Sequence, residues 1–519
     1  MMKKISPINP SILIILSAVM FAFTSCSDDF FNKEAGDRIT PDQHYKTQID
    51  ASISAAGTIV ALQDLMPKLI MLDGLRSDQM DVTPHAGMYL REINNQVFSP
   101  TNPFTDASDL YKVIIDVNEV IANLHTVAEN DRNFDPYIEF YFTGALIGMR
   151  SWAYLTIVRL YNEAAYIPDN LTALPENLEQ TILGKGDLID TLINQITPYI
   201  HDNSTGNETV ELKLPWFVNT KALLGELYLE KNDYANAAFY LKLACESYSN
   251  SASMLKVDRT YKDAAWSSLF MNAESQQLEN ISAIPFNSTE DQFNPLARWL
   301  GHDYDYLVKP SQVLVDSFKA QILPAGGPGD LYRGLGITFS EDTLSKISET
   351  EYSLDYYITK YEISFADPFG SDIILSRAAD IHLMLAEAYN RMGDEVSQGY
   401  ALMLLNDGVN ATNPKPAEFA KWRSNIGIRG RVYLTNRVVP EEITGEERTL
   451  MIEDLIIEER ALELAYEGKR WSDLVRVAER RGDPAYLADK VAAKFEGTPD
   501  YNTIHAKLMN PDNWYLEPR

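Results

Sequence analysis

Two closely spaced helical segments constrain the fold of this chain more than any other feature of its sequence. The segments Thr220–Glu230 and Tyr234–Ser247 both carry apolar residues at helical spacing, and a short connection joins them. Small residues such as Gly225 let two antiparallel helices approach, while Tyr228 and Leu241 fill the space between them. The pair therefore predicts that part of the protein is built from stacked helix pairs.

The same pair resembles a tetratricopeptide repeat. The Leu-Gly-x-x-Tyr sequence at residues 224–228 matches helix A of that repeat, and Ala237, Leu241 and Ala244 follow at the packing positions of helix B. Lys221 stands where the repeat usually has tryptophan. The Leu-Ala-Glu-Ala-Tyr sequence at residues 385–389 repeats the pattern weakly, so the helix pairs are not contiguous.

Further segments with helical period lie at residues 143–161, 373–392 and 449–466, whereas strand-like runs are short, at 356–363 and 430–434. We therefore predict a mainly α protein. Its helical scaffold is expected mainly at residues 41–249 and 370–519. The intervening stretch, about residues 250–369, is expected to be irregular, because it is rich in glycine, proline, serine and aromatic residues.

The charge balance excludes one class of partner. Lys and Arg total 45 against 74 Asp and Glu, which gives a formal net charge of −29. Binding to nucleic acid depends on cationic side chains that neutralise phosphates, so no nucleic-acid partner is expected. Charge alone also cannot dock such a chain on an anionic lipid surface.

The N-terminus is a targeting segment. Lys3 and Lys4 precede an apolar run at residues 12–23 that is too short to span a bilayer comfortably. The run ends in Phe-Thr-Ser-Cys at residues 23–26, which resembles a bacterial lipobox. We predict a signal peptide at residues 1–25, a lipidated Cys26, and a tether at residues 26–40. A cleaved secretory peptide with an incidental cysteine is the alternative. Cys245, the other cysteine of the chain, is expected to be a small residue of the core.

Motifs of catalysis are absent from the sequence. It contains no phosphate-binding loop, no His-Glu-x-x-His, no Gly-x-Ser-x-Gly and no Cys-x-x-Cys. The most prominent acidic pair is Glu458 and Glu459, beside Arg460. Ion pairs on a helix surface and a buried Arg–Glu tie explain this pair better than a catalytic role does. The Asp-x-Asp sequence at residues 303–305 could bind calcium, but it lacks the glycine and the distal glutamate of an EF-hand loop. We predict no catalytic residue, no metal site and no cofactor.

Several segments together resemble the SusD/RagB-like outer-membrane lipoproteins. The Cys-Ser-Asp-Asp-Phe-Phe start at residues 26–31, the helical sequence at 110–121 and Arg-Ser-Trp-Ala-Tyr-Leu at 150–155 follow the order of the family. The most specific match is Glu-Glu-Arg-Ala-Leu-Glu-Leu-Ala-Tyr-Glu-Gly-Lys-Arg-Trp-Ser-Asp-Leu at 458–474. The tryptophan that usually precedes the first helical signature is missing, with Ala107 nearest. The resemblance covers nearly the whole mature chain.

This resemblance implies a right-handed superhelical scaffold of tetratricopeptide-like helix pairs that carries an irregular ligand-binding region. It implies a non-catalytic lipoprotein on the outer membrane, facing the cell exterior and anchored in its lipid through acylated Cys26. The family captures oligosaccharides, or peptides in its RagB branch, as a lid on a SusC-like TonB-dependent transporter. Under this resemblance, Arg460 and Arg470 are scaffold residues that join helices through carboxylates, and Trp471 is a packing residue of the scaffold.

Sugars bind by stacking on aromatic rings, with polar side chains bonding their hydroxyls. The resemblance places such contacts in the loop after the first helix, here residues 76–103, and in the central region. The loop contains no tryptophan, so starch specificity is not carried over. Trp266 and Phe270 lie four apart, which also suits core packing in a helix. The expected ligand contacts are Asp78, Tyr89, Arg91, Asn95, Trp266, Trp299 and Tyr304.

Three alternatives to oligosaccharide capture stay open at this point. A peptide-binding relative would have the same fold and the same transporter but a different cargo. A surface glycosidase would use two carboxylates across a cleft. A scaffold that only bridges partners through its helix pairs would bind no small ligand.

Overall fold

The computed structural model describes residues 44–169, 181–200, 218–247, 255–262, 265–271, 279–346, 352–362, 367, 369–411, 414–422 and 425–517. The predicted signal peptide, the lipidation site at Cys26 and the tether lie outside these described residues.

Long helices form the N-terminal part of the described chain. The first helix begins at a capping box, in which Thr47 accepts from the Asp50 backbone N–H and the Asp50 carboxylate accepts from that of Thr47. In chain order the elements are α1 (Gln48–Arg76), β1 (Met80–Val82), α2 (Met88–Asn94), α3 (Ser108–Asn130), α4 (Pro136–Tyr161), β2 (Glu163–Tyr166), β3 (Thr181–Gly184), α5 (Lys185–Ile196), α6 (Thr220–Glu230) and α7 (Tyr234–Ser247).

Short helices and strands alternate in the central region, and longer helices return after it. The central elements are α8 (Ser268–Met271), β4 (Asn280–Ile284), α9 (Pro295–Leu300), β5 (Val308–Pro310), α10 (Gln312–Lys319), β6 (Phe339–Lys346), β7 (Tyr352–Ile358) and β8 (Ile373–Arg377). The C-terminal elements are α11 (Ala378–Arg391), α12 (Glu395–Leu405), α13 (Ile428–Arg431), α14 (Gly445–Glu463), α15 (Arg470–Arg481), α16 (Pro484–Ala492) and α17 (Asp500–Leu508).

Neighbouring helices pack pairwise, which confirms the prediction of a mainly α fold. Helix α3 packs on α4, α6 on α7 and α11 on α12, while α11 also contacts α7 and joins the two pairs. By length and apolar composition, α1 is the one helix among the described residues that could cross a membrane, but 56% of its most apolar stretch is buried within the protein. This burial is what the core helix of a helical scaffold shows.

The tetratricopeptide-like pair has the bounds that the sequence predicts. A Cβ atom placed on Gly225 would lie 2.6 Å from Cγ of Leu241 and 3.0 Å from its backbone nitrogen, so only glycine allows this approach of α6 to α7. The rings of Tyr228 and Tyr240 stack in parallel beside it, with centroids 5.5 Å apart. Lys221, at the position of the usual tryptophan, is buried.

Two predicted elements were wrong. Residues 373–377 form strand β8 instead of the start of a helix, because Ile373 and Ile374 pair with β4 and are buried against the core. Helix α11 starts only at Ala378. Residues 430–434 are not a strand, since α13 ends at Arg431 and Tyr433 has a φ of 54°, which strands do not adopt.

The central region contains more regular structure than predicted. Within the described residues, β1 pairs with β5, β2 with β3, β4 with β8 and β6 with β7, each pair antiparallel. Two of these pairs join segments that are far apart in sequence. The β1–β5 pair joins the loop after α1 to the central region, and the β4–β8 pair joins the central region to the C-terminal helices.

A buried ionic network surrounds the C-terminal end of α14. Glu463 accepts from Arg333 at 2.7 Å and from Arg377 at 2.7 Å, and it also pairs with Arg431. Glu459 accepts from Arg333 at 2.7 Å. All of these side chains are fully buried, and the surrounding guanidinium groups hold the pKa of Glu463 far below its usual range against the opposing effect of burial. The predicted buried Arg–Glu tie is confirmed.

The arginines of the C-terminal signature also tie helices, as predicted. Arg460 donates to Asp380 of α11 at 2.9 Å and to Asp473 of α15 at 2.7 Å. Arg470 forms a double hydrogen bond with Asp78, and Trp471 is buried. These contacts hold α11, α14 and α15 together.

We expect Gly225→Ala to lower the free energy of unfolding by about 1–3 kcal/mol, because the added methyl group overlaps Leu241. Gly399→Ala is the matched control: it lies within α12, where no atom lies within 4 Å of the new Cβ. This control should be neutral or raise stability by about 1 kcal/mol through helix propensity. Equal effects of the two changes in thermal and denaturant unfolding would contradict the close packing of α6 and α7.

Candidate functional site

The loop after α1 and the central region meet at one junction. Strand β1 pairs with β5 in the register Met80 with Pro310. The Thr83 backbone N–H then donates to the Leu307 carbonyl at 3.1 Å, and its hydroxyl donates to the Tyr306 carbonyl. The two segments that the resemblance implicates in ligand binding are therefore neighbours in space.

Residues near the C-terminus hold both ends of this loop. The Lys494 ammonium donates to the carbonyls of Leu75 and Met80, at 2.7 and 3.0 Å, and to Asn94 Oδ1 at 3.1 Å. Burial lowers the pKa of Lys494 to about 8. Arg76 lies 4.0 Å above the Trp471 ring and donates to a backbone carbonyl near the chain end at 2.8 Å. The loop is thus fixed by partners some 400 residues away in sequence.

Three of the expected contacts lie on this loop at the surface. Tyr89 is half-buried, and its hydroxyl reaches Thr101 at 3.4 Å. Asn95 is exposed. Arg91 is exposed as well, but its guanidinium donates to three backbone carbonyls between residues 83 and 86 at 3.0–3.1 Å. Arg91 therefore stabilises the loop, while Tyr89 and Asn95 leave polar atoms at the surface.

Trp299 connects the loop to the central region. Its ring packs edge-on against Phe104, with centroids 6.2 Å apart. Phe104 belongs to a turn that Asn102 caps, and the Asn102 amide also donates to the Tyr89 carbonyl at 3.0 Å. The structure thus links Trp299 to Tyr89 through Asn102 and Phe104, and leaves Trp299 half-buried.

An exposed aromatic surface, which we call the aromatic ledge, consists of Phe293, Tyr304 and Phe369. The Tyr304 and Phe369 rings are 5.2 Å apart, and Phe293 lies 6.3 Å from Phe369. Phe293 and Tyr304 are 51% and 46% exposed, which is unusual for such large rings. A Cβ on Gly301 would lie 2.8 Å from the Tyr304 ring, so this glycine allows the turn that presents it.

A carboxyl group with a shifted pKa lies beside the ledge. Burial and, to a lesser extent, the Asp303 carboxylate raise the pKa of Glu362 to about 7, against the opposing effect of the His302 ring and backbone N–H. The His302 ring also lies 5.3 Å from that of Tyr306 and 5.2 Å from that of Tyr357. Near neutral pH Glu362 can therefore act as either donor or acceptor of a hydrogen bond.

Two expected contacts have structural partners instead. Both carboxylate oxygens of Asp78 accept from Arg470, at 2.7 and 2.6 Å, and the pair is buried. Trp266 is 1% exposed and lies 5.4 Å beneath Arg377 and 4.9 Å beneath Arg431. The expectation of a ligand contact is therefore wrong for both, because Asp78 is bound by Arg470 and Trp266 is enclosed in the core. Trp266 packs in the core, which is the alternative that its spacing from Phe270 suggested.

Sequence reasoning missed a cavity of about 710 Å³, including its open mouth, between α1, α4 and the start of α15. Trp152, Leu160 and Trp471 contribute to its lining together with Asp73. Asp73 accepts from the backbone N–H of Trp471 at 2.9 Å, and burial raises its pKa to about 7. No sequence pattern points to this cavity, because its walls come from α1, α4, β8 and the start of α15, which are distant from one another in sequence. Among the described residues, no group of three or more His, Cys, Asp and Glu side chains is placed to hold a metal ion.

Comparison with known proteins shows which class of structures this mainly helical scaffold resembles. Residues 348–518 match the model of the SusD family. A SusD-like protein of Formosa agariphila is 23% identical, over 92% of this chain and 92% of its own length.

Solved structures share the fold over most of the chain. A SusD superfamily protein from Bacteroides vulgatus superposes with a TM-score of 0.67 at 16% identity, over 89% of this chain and 93% of its own. A laminarin-binding SusD-like protein superposes with a TM-score of 0.56 at 18% identity, over 88% and 96%. The C-terminal third of the chain thus resembles the SusD family, and the fold as a whole is the one that SusD superfamily structures have.

We expect Glu362→Gln to raise the melting temperature more at about pH 8.5 than at about pH 5. A carboxyl whose pKa is raised in the folded state stabilises the protein when protonated, and this contribution is lost as the pH rises through about 7. Glutamine stays neutral throughout. The exposed Glu395→Gln on α12 serves as control and should show no such dependence. A pH-independent effect of Glu362→Gln would contradict the shifted pKa.

Proposed function

We propose that this protein is a non-catalytic lipoprotein of the cell surface, which captures oligosaccharides and delivers them to a SusC-like TonB-dependent transporter in the outer membrane. The observation that carries this proposal is the aromatic ledge, in which the Tyr304 and Phe369 rings lie 5.2 Å apart and Tyr304 is 46% exposed. The likeness of residues 348–518 to the SusD family supports it, as does the shared fold of a laminarin-binding SusD-like protein.

The ledge has the chemistry that a sugar requires. Exposed rings stack against the apolar C–H faces of a pyranose, and they cost little entropy because they are already packed against each other. Arg298 and Asp305 form an exposed ion pair at 3.0 Å nearby in sequence, and Glu362 lies beside Tyr304. These groups can bond hydroxyls around a stacked ring.

A surface glycosidase is the alternative that one observation favours. Glu362 has the raised pKa of a general acid and lies close enough to Asp303 to be influenced by its charge. A glycosidase holds its two carboxyl groups on either side of the bond it cleaves. The Asp303 side chain is 95% exposed, which suits the rim of a surface better than the wall of a cleft. We therefore favour binding without turnover.

A peptide-binding function is compatible with the same fold. Aromatic and polar side chains on a surface also accommodate peptides, so the fold does not separate the two cargoes. Mass spectrometry of ligands that co-purify with the protein from its native membrane separates them. Co-purified peptides would overturn the assignment to oligosaccharides.

We expect Tyr304→Ala to weaken oligosaccharide binding by about tenfold, the effect of losing one stacking contact worth about 1.4 kcal/mol. Tyr89→Ala, on the neighbouring loop, should weaken it as well. Tyr137→Ala on α4 is the matched control, since its ring is similarly exposed at 43% but lies outside the junction. Calorimetric titration with a glycan panel, with product analysis, measures both binding and turnover.

The site assignment fails if both variants bind a confirmed ligand as tightly as the wild type. Product formation that disappears in Glu362→Gln would establish the glycosidase instead. If the protein binds no saccharide while it still associates with a transporter, it acts only as a scaffold.

We expect Cys26→Ser to move the protein from the membrane fraction to the soluble fraction, because acylation of this cysteine would supply the anchor and the net charge of −29 supplies none. Cell fractionation with detection of the acyl group by mass spectrometry checks this. Cys245→Ser is the control, since that thiol is buried in the core and should not affect localisation. Unchanged membrane association of Cys26→Ser would disprove lipid anchoring at this residue.

A further inference from the structure

The cavity between α1, α4, β8 and the start of α15, which we call the helical cavity, shares no residue with the aromatic ledge. Its volume is about 710 Å³ including its open mouth, and pockets that hold small ligands measure about 300–1,000 Å³. Large apolar side chains form much of its wall. Leu69, Trp152 and Leu160 are among them, and all three are only half-buried although they pack against the core. The helical cavity is therefore a concave apolar surface that solvent reaches.

Contacts within the scaffold hold the walls of the helical cavity in place. The Asp73 carboxylate of α1 accepts from the backbone N–H groups of the first two residues of α15, at 3.1 and 2.9 Å, and so joins these two helices. Arg159 of α4 donates to Glu226 at 2.7 Å and to Glu230 at 2.6 Å, both on α6. The cavity keeps its shape without a ligand, which lowers the entropy cost of binding one.

Three oxygen-bearing side chains give the helical cavity hydrogen-bond acceptors. Asp73 lines it and is half-buried, and each oxygen of its carboxylate accepts one backbone N–H, whereas a carboxylate has about four acceptor positions. Thr156 and Ser472 also line it, and each hydroxyl donates to a backbone carbonyl at 2.9 Å, so its oxygen can still accept. A ligand that donates hydrogen bonds finds partners here.

Two cations bring donors to the same walls. Arg159 and Lys469 line the helical cavity and are half-buried. Arg159 donates through Nε, Nη1 and Nη2 to Glu226 and Glu230, and each of its terminal nitrogens carries a second N–H. Lys469 pairs with Asp380 at 3.4 Å. Because both cations have carboxylate partners, they can donate to a ligand while adding little net charge to the cavity.

A neutral ligand with hydroxyl groups fits this set of partners better than a charged one. An ammonium group can bind Asp73 but cannot accept from Arg159 or Lys469, and a carboxylate can accept from these cations but has no proton to donate. Burial raises the pKa of Asp73 to about 7, so its attraction for a cation is incomplete near neutral pH. A sugar hydroxyl both donates and accepts, and the C–H face of a pyranose can stack on an aromatic ring such as Trp152.

We propose that the helical cavity is a second saccharide site, in which one residue of a neutral oligosaccharide stacks on Trp152 while its hydroxyls bond Asp73 and the cations of the wall. This inference rests on the proposed function and extends it from one binding surface to two. Because the helical cavity and the aromatic ledge have no residue in common, either can be disabled by substitutions that leave the other intact.

The test uses calorimetric titrations of the mature chain. Laminaritriose, cellotriose, maltotriose and xylotriose are the neutral probes, while benzylamine and benzoate present a cation and an anion on an apolar ring. The titrations are repeated with the double change Tyr304→Ala and Phe369→Ala, which we call the ledge variant. We expect at least one saccharide to bind the ledge variant, with an affinity that changes little as NaCl rises from about 20 mM to about 200 mM.

Two further changes, each made in the ledge variant, locate this remaining binding. Trp152→Ala removes the stacking surface and should weaken saccharide binding by at least about tenfold. Thr156→Phe fills the helical cavity and should weaken it to a similar extent. Thr143→Phe is the matched control, because Thr143 is also half-buried on α4 and its hydroxyl also donates to the carbonyl four residues earlier, but it does not line the cavity. This control should keep its affinity, and circular dichroism verifies that each variant is folded.

The possible results distinguish this inference from the proposed function. If the ledge variant binds no saccharide that the wild type binds, or if Trp152→Ala and Thr156→Phe both leave its affinity unchanged, the inference is overturned and the proposed function stands. Cavity-dependent binding of benzylamine or benzoate that is tighter than that of every saccharide overturns it in favour of a charged ligand. Saccharide binding that only the cavity changes abolish supports the inference and contradicts the assignment to the ledge. Absence of saccharide binding by the wild type overturns both.

Discussion

The rest of the structure depends on the burial of charge at the C-terminal end of α14. Glu459, Glu463 and Glu467 accept hydrogen bonds from cations that come from segments far apart in sequence. Their partners are Arg333, Lys360, Arg377, Arg429 and Arg431. Buried charges are tolerated only in pairs, and removing one partner of such a pair costs about 3–5 kcal/mol. The central region therefore has one stable position on the scaffold, the one in which every carboxylate meets its cations.

This constraint explains how a region with little regular structure can present rigid surfaces. The strands of the central region occur in short pairs, which have little stability of their own. Arg377 ends β8 and Arg333 follows α10, so the network anchors the region at two points, while the β1–β5 pair and Lys494 fix the loop beside it. Side chains on such a frame lose little freedom when a ligand binds.

The helical parts of the fold were predictable from sequence, and the surface sites were predictable only in part. The helices α6 and α7 have their predicted bounds because the contact between Gly225 and Leu241 joins residues close in sequence, so that their spacing alone indicates the helix pair. Strand β8 was missed because its pairing with β4 comes from a segment about 90 residues earlier, which no local pattern reveals. The buried pairing of Asp78 is hidden from local patterns for the same reason, since its partner Arg470 is distant in sequence. Tyr304 stays a prediction that rests on its place among the aromatic residues of the central region, whereas its neighbours Phe369 and Glu362 are brought close only by tertiary contacts.

The anchoring of the loop after α1 has a consequence for how the protein matures. Lys494 binds the Leu75 carbonyl and Arg76 binds the Trp514 carbonyl, in each case across more than 400 residues of sequence. The loop that carries Tyr89 therefore has its partners only once nearly the whole polypeptide has been made. Contacts of such long range form late and slowly in folding. A chain interrupted before residue 494 lacks the clamp on this loop. The proposed ligand site at the junction would therefore be assembled only in chains whose C-terminal segments have folded.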